Sequence, residues 1–241
     1  MLEIEKRVIR YWSRRMMDFS AVREQELQNE LSKSWLLEIK KYLPQGKKLK
    51  VLDVGTGVGF FAVLLAGEGH TVCGIDLTPD MITRAKELSA QYGVTVDYKV
   101  MDAMEIYYPN ETFDLVISRN LTWTLPDAKK AYKEWYRVLK KEGILLNFDA
   151  GYAKTADLER TKVTDPKTPY GHQGMTQELE EENAYITRQM EISQWERPDW
   201  DKRTLTEVGF SRVKTDETVG SRILKEKDLP EAPMFLVWAQ K

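Results

Sequence analysis

The sequence predicts an α/β fold: a doubly wound, mostly parallel sheet of seven strands, with helices ahead of it and a lid inserted after the fifth strand. Three observations carry this expectation. From residue 49 onward, short apolar runs alternate with amphipathic helical stretches. A glycine-rich turn joins the first of those strands to the first of those helices. The alternation then breaks after Asp149 and resumes near Trp200. A chain of 241 residues with 42% hydrophobic and 31% charged side chains can bury a sizeable core, so wholesale disorder is excluded.

Residues 1–43 read as two helices. Ile4, Val8, Tyr11/Trp12 and Met16 recur at near-helical spacing, as do Leu27, Leu31, Trp35 and Ile39, and Pro44-Gln45-Gly46 ends the second. Leu49–Val54 is a buried strand, and Val58–Glu68 a helix entered through glycines. Thr71–Asp76 is the second strand; Thr78-Pro79 then supplies a cap and a first-turn proline for a helix reaching Tyr92. Val94–Val100 and Phe113–Ser118 are strands three and four. Pro126–Lys140 is a helix with an apolar stripe of Ala128, Ala131, Trp135, Val138 and Leu139, stopped at Gly143 before a fifth strand, Ile144–Phe148. Parallel strands covered on both faces account for such uniformly apolar runs.

Residues 151–198 hold glycines, prolines, an acidic run from Glu178 to Glu182 and scattered aromatics, with no strand pattern. A helix near Trp200–Val208 and strands at Arg212–Asp216 and Met234–Ala239 follow. The expected organisation is an N-terminal helical cap (1–46), a ligand-binding core (47–150), a lid for substrate recognition (151–198) and a C-terminal completion of the sheet (199–241). A long irregular segment inside a compact domain is usually functional or disordered, and this one starts at the sheet's carboxyl edge, where open α/β sheets bind ligands.

The chemistry concentrates in Val51-Leu52-Asp53-Val54-Gly55-Thr56-Gly57-Val58-Gly59-Phe60. Glycines let a backbone approach a ligand closely, and the following helix N-terminus offers unpaired N–H groups. Asp76 ends the next strand, where a carboxylate can accept from ribose hydroxyls. The dinucleotide fingerprint needs a third glycine where Phe60 stands, so NAD binding is disfavoured. Asp53 beside the turn suits a ligand bearing an ammonium group better than a pyrophosphate.

These motifs, in order, resemble the class I S-adenosylmethionine-dependent methyltransferases, in particular the small-molecule branch that includes the ubiquinone/menaquinone-biosynthesis enzymes. The stretches that carry the resemblance are Val51–Gly59, Val72-Cys73-Gly74-Ile75-Asp76-Leu77-Thr78-Pro79-Asp80-Met81, Val100-Met101-Asp102-Ala103, Phe113–Asn120 with Trp123 and Leu125, and Glu134–Lys140. It covers residues 47–150 well and 199–241 loosely, and implies a Rossmann-like sheet. It also implies S-adenosyl-L-methionine as cofactor and S-adenosyl-L-homocysteine as product. Gly55, Thr56, Gly57 and Gly59 would then pass along the methionine end, with Asp53 toward its amino group. Asp76 would hold the ribose, Leu77 and Met81 flank the adenine, and Asp102 and Ala103 bond it. Arg119 and Asn120 would lie beneath the cofactor.

The acceptor is open. Tyr11, Trp12, Trp123, Tyr152 and Tyr170 are substrate-wall candidates, each with core or helix packing as the alternative. His172 and Asp149 are candidate bases, though methyl transfer needs none of necessity, and O-, N-, C- and S-methylation stay open. Cys73 reads as a buried core thiol and His70 as a surface residue. A single cysteine excludes a disulfide framework and a Cys-based zinc site, and no metal is expected. The formal net charge of -2 argues against a nucleic-acid partner, and no apolar run is long enough to span a membrane. A cytoplasmic address is expected, with a small-molecule acceptor as partner. An NAD-type oxidoreductase, a non-catalytic S-adenosylmethionine-binding module and a nucleic-acid methyltransferase are the alternatives.

Overall fold

Seven strands form one sheet in the order β3-β2-β1-β4-β5-β7-β6. In the computed structural model, which describes residues 3–154, 174–225, 228, 230 and 232–241, the strands are β1 (Lys50–Val54), β2 (Thr71–Asp76), β3 (Asp97–Val100), β4 (Phe113–Arg119), β5 (Leu139–Ala150), β6 (Arg212–Asp216) and β7 (Met234–Gln240). Strands β1 to β5 pair in parallel, and β7 runs antiparallel to both β5 and β6. The Rossmann-like, mostly parallel sheet is thus present. The chain leaves β1 toward β2 and β3 on one side and reaches β4 and β5 on the other, so the winding reverses between β1 and β4. A crevice opens at that switch point, at the strands' carboxyl ends.

The helices are α1 (Glu3–Gln28), α2 (Glu30–Lys40), α3 (Phe60–Gly67), α4 (Pro79–Gln91), α5 (Ala128–Val138), α6 (Gln177–Gln189), α7 (Asp199–Val208) and α8 (Val219–Ile223). Period-two alternation splits the apolar residues of β4 and β5 between the two faces. Leu115, Ile117, Leu146 and Phe148 join a cluster with α2 and α3, while Val116 and Leu145 join one with α5 and α7. The first cluster also takes Leu27, Trp35 and Ile39. Trp35 is fully buried, with its ring 5.1 Å from both Phe61 and Phe148. The N-terminal helices therefore share the core of the sheet instead of standing apart from it as a cap.

Three local expectations are corrected. The first helix is longer than expected, running to Gln28, because Asn29 caps the second by accepting from the Leu31 amide at 2.8 Å. Leu139 opens β5 opposite Phe113 instead of closing α5, and the ladder shifts register before Ile144. The described part of 151–198 is not irregular: α6 and a 3-10 turn at Glu191–Gln194 lie there, with Thr176 capping α6 through the Leu179 amide at 3.3 Å. Leu179 and Ile186 of α6, together with Met190 and Ile192 beyond it, pack against Val8 and Tyr11 of α1. No described helix is long and apolar enough to cross a membrane.

Candidate functional site

The β1–α3 turn is built on left-handed backbone. Gly55, Gly57 and Gly59 have φ of 66°, 54° and 90°, a region that L side chains rarely adopt. A Cβ on Gly55 would lie 2.7 Å from Leu121, and one on Gly57 would lie 3.2 Å from Phe19. Leu121 follows β4 and Phe19 belongs to α1, so an apolar cover lies over the turn. Gly59 faces the other way: a Cβ there would collide with the Tyr98 hydroxyl. Its absence of a side chain serves packing against Tyr98.

Asp53 is also turned inward. Its Oδ2 accepts from the Thr56 hydroxyl at 2.6 Å and from the Ala62 amide at 3.1 Å, so it clamps the turn to the first turn of α3. Burial pushes its carboxyl up to about 7, against the pull of those two donors. It therefore braces the turn from behind.

Asp76 presents differently. Oδ2 accepts from the Gly57 amide and Oδ1 from the Thr78 amide, both at 2.9 Å, and the side chain is only half-buried. A carboxylate has about four lone-pair sites, and the Gly57 and Thr78 bonds do not use them all. Burial raises its pKa, and the Thr78 and Gly57 bonds oppose that. Asp102, half-buried beyond β3, accepts from the Met104 amide at 2.8 Å. Met81 and Ala103 are buried and Leu77 half-buried; the Ala103 carbonyl accepts from Trp135 Nε1 at 3.1 Å. Carboxylates thus stand at the ends of β2 and β3, both on the side of β1 away from β4.

Arg119 and Asn120 end β4. Arg119 does not offer its charge to the crevice: it grips Glu26 of α1 through both terminal nitrogens, at 2.8 and 3.1 Å, with its guanidinium 4.3 Å from the Trp35 ring centroid. Arg23 reaches both Glu26 oxygens at 2.8 Å. Burial would raise the Glu26 carboxyl, but Arg119 and Arg23 outweigh it and hold it at about 2. Asn120 has φ of 55°, and its Oδ1 is buried without a hydrogen-bond partner. An orphaned acceptor beside Leu121 and Gly55 is suited to a ligand's N–H donor.

Four of the five aromatic candidates come together. Tyr11 and Trp12 have ring centroids 5.2 Å apart, Trp12 and Trp123 6.4 Å, and Trp123 and Tyr152 5.0 Å. Phe19 joins at 5.4 Å from Trp12, linking this string to the cover over Gly57. Trp123 is fixed by a 2.9 Å bond from its Nε1 to the Asn120 carbonyl. Tyr170 and His172 lie outside the described residues.

Asp149 is withdrawn from the role of base. It is fully buried: Oδ2 accepts from the Thr122 amide and hydroxyl, Oδ1 from the Ala150 amide, and Arg197 stands 3.3 Å away. Burial raises its pKa, opposed by Arg197 and Thr122. Arg197 bonds both oxygens of Asp201 at 2.9 and 2.8 Å, and Asp201 accepts from the Tyr132 hydroxyl. This buried set ties α5, α7, β5 and the turn after β4 together. Arg197 and Asp201 escaped the sequence reading because nothing local marks an Arg-x-x-x-Asp pair as buried. Glu26 and Phe19 escaped it for the same reason. Cys73 is buried as expected, and His70 is more engaged than expected, its Nδ1 accepting from the Leu49 amide at 3.1 Å. Among the described residues no cluster of potential metal ligands occurs.

Residues 52–147 match the family model described as a methyltransferase domain. The 2-methyl-6-phytyl-1,4-hydroquinone methyltransferase of Synechocystis is 40% identical over 108 residues, which is 44% of this chain and 33% of that protein. The chain thus matches about a third of the length of that curated relative. Phosphoethanolamine N-methyltransferase 2 of Haemonchus contortus, solved with S-adenosyl-L-methionine, superposes with a TM-score of 0.59 at 20% identity, over 86% of this chain and 51% of that one. The 4+2 cyclase SpnF superposes with a TM-score of 0.56 at 17% identity, over 86% of this chain and 80% of that one. At such identities the structural likeness concerns the fold.

Proposed function

We propose that this chain, which carries a methyltransferase domain over residues 52–147, moves a methyl group from S-adenosylmethionine to a small-molecule acceptor by direct in-line displacement. The observation that carries the reading is the side-chain-free Gly55–Gly57 turn set between Asp76, with lone pairs to spare, and the orphaned Asn120 Oδ1. When bound, S-adenosylmethionine supplies a methyl group on a positively charged sulfur. Asp76 would accept from the ribose hydroxyls, Asp102 and the Ala103 backbone would meet the adenine beside Leu77 and Met81, and Asn120 would take the amino group. Asp53 and Gly59 hold the turn in shape. The string from Tyr11 to Tyr152, with Phe19 and Leu121, excludes water from the reacting centre and holds the acceptor in line. Asp149 sets the position of the turn carrying Trp123 through Thr122. Residues 174–198 and α1 would form the acceptor's cover, which the apolar cluster that α1 and α6 share supports.

Phe60, where a dinucleotide site needs glycine, is buried against Trp35 and Arg119, which speaks against an oxidoreductase. The arginines of α1 that could make a basic groove are partnered: Arg7 with Glu182, Arg14 with Glu178, Arg15 with Asp18 and Arg23 with Glu26. This favours a small molecule over nucleic acid. A second reading is a protein that binds the cofactor without transferring its methyl group; the fold is shared with a chain titled a 4+2 cyclase, and one fold hosts several chemistries. Incubation with S-adenosylmethionine carrying a deuterated methyl group and a bacterial small-molecule extract separates the readings. Label entering a low-mass compound is the expected result; label entering RNA or protein, or none transferred while cofactor binds, overturns it.

A further inference from the structure

Two arginines share one carboxylate near the end of α1. Arg119 donates to Glu26 through both terminal nitrogens, and Arg23 through one. The set therefore carries a surplus positive charge, held out of water, where it is poorly screened. Burial and the neighbouring Arg119 push the Arg23 guanidinium below its ordinary range, with Glu26 pulling the other way. A guanidinium has five N–H donors. Among the described residues, Arg23 makes no hydrogen bond through Nε or its second terminal nitrogen, and Arg119 Nε is buried without a partner. Unmet donors on a buried surplus cation call for an anion.

The surroundings of Arg23 say where that anion lies. Trp12, Phe19, Arg23 and Glu26 fall at helical spacing on one face of α1. The Arg23 guanidinium is 4.6 Å from the Phe19 ring centroid, and Phe19 is the side chain that lies over Gly57. Arg119 directly precedes Asn120, whose orphaned Oδ1 is suited to an N–H donor. The surplus charge thus adjoins both the glycine turn and the proposed acceptor for an amino group. An α-amino acid carries its ammonium and its carboxylate on one carbon, so the two cannot be bound far apart. A carboxylate also matches the planar fork of an arginine, taking two parallel N–H bonds. Arg23 is buried, which suits the end of a small molecule and not a polyanion.

We infer that Arg23 binds the carboxylate at the cofactor's methionine end, left free for it because Arg119 neutralises Glu26. The inference rests on the methyl-transfer reading for the identity of the cofactor. Its test compares S-adenosylhomocysteine with S-adenosyl-3-thiopropylamine, the same molecule without its carboxylate, by calorimetry on the whole protein. Wild type is expected to bind the former at least about tenfold more tightly. Arg23→Gln leaves Glu26 and Arg119 as a balanced pair. There the preference should fall to about threefold or less, with the decarboxylated ligand bound as in wild type. Arg23→Lys keeps the charge without the fork and should keep an intermediate preference. Equal binding of the two ligands by wild type, or an undiminished preference in Arg23→Gln, overturns the inference. Should Arg23→Gln fail to fold, Arg23→Lys decides, and a preference as large as that of wild type contradicts it. If wild type binds neither ligand, the methyl-transfer reading falls and takes this inference with it.

Discussion

Asp53 and Asp76 stand at the ends of adjacent strands and do opposite work. One faces into the protein and fixes the turn's shape; the other stays half-open and keeps lone pairs for a ligand. Their positions at strand ends were legible in the sequence, because a buried apolar run ending in Asp is a short-range pattern. Which way each side chain turns was not, since that depends on Thr56 and Ala62 being brought back over Asp53. The inward turn has a measurable consequence. The folded carboxyl, raised to about 7, takes a proton that the unfolded chain binds only near 3.9. Its contribution to stability is therefore fully present below about pH 4 and disappears as pH rises through about 7. Wild type should gain stability relative to Asp53→Asn as pH falls from 7.5 to 4.5, by up to roughly 3 kcal/mol. Parallel urea midpoints over that range would refute the burial argument.

At the level of elements, α1 is tied to the sheet by a buried charge cluster and to α6 by an apolar one. Glu26 is the only carboxylate within hydrogen-bond range of both Arg23 and Arg119 among the described contacts. Removing one member of a buried charged set leaves the others uncompensated, at a cost of ~3–5 kcal/mol. Glu26→Ala should lose about that much in urea unfolding, whereas a loss below ~1 kcal/mol would show the cluster to be dispensable. Ile186, 2% exposed in the α1–α6 cluster, should cost ~2–5 kcal/mol as Ile186→Ala. Glu178→Gln, by contrast, should leave the unfolding midpoint almost unchanged, since its pair with Arg14 is exposed and exposed ion pairs contribute little. If the two variants behave alike, surface charge and not apolar packing holds α6 on α1. Helix α6 was hidden in the sequence because its acidic run masks a sparse stripe of Leu179, Ile186 and Met190. Its apolar face makes sense only against α1, more than 150 residues earlier.

For the molecule as a whole, the strand–helix alternation made the sheet readable from sequence, down to its fifth parallel strand. The antiparallel placement of β7 between β5 and β6 was not readable, because strand direction at an edge is a matter of pairing and not of composition. The switch point between β1 and β4 brings together residues from 53 to 152, and α1 reaches over it from the other end of the chain. That convergence is why the aromatic string could be guessed residue by residue but not as a connected wall. The whole reading depends on what the crevice binds. Calorimetric titration of the intact protein with S-adenosylhomocysteine, with NADH as the comparison ligand, asks this directly. One saturable site for S-adenosylhomocysteine is expected, none for NADH, and Asp76→Ala should weaken the former by ~1–3 kcal/mol. No heat with S-adenosylhomocysteine, tighter binding of NADH, or an Asp76→Ala variant that binds as well as wild type would contradict it.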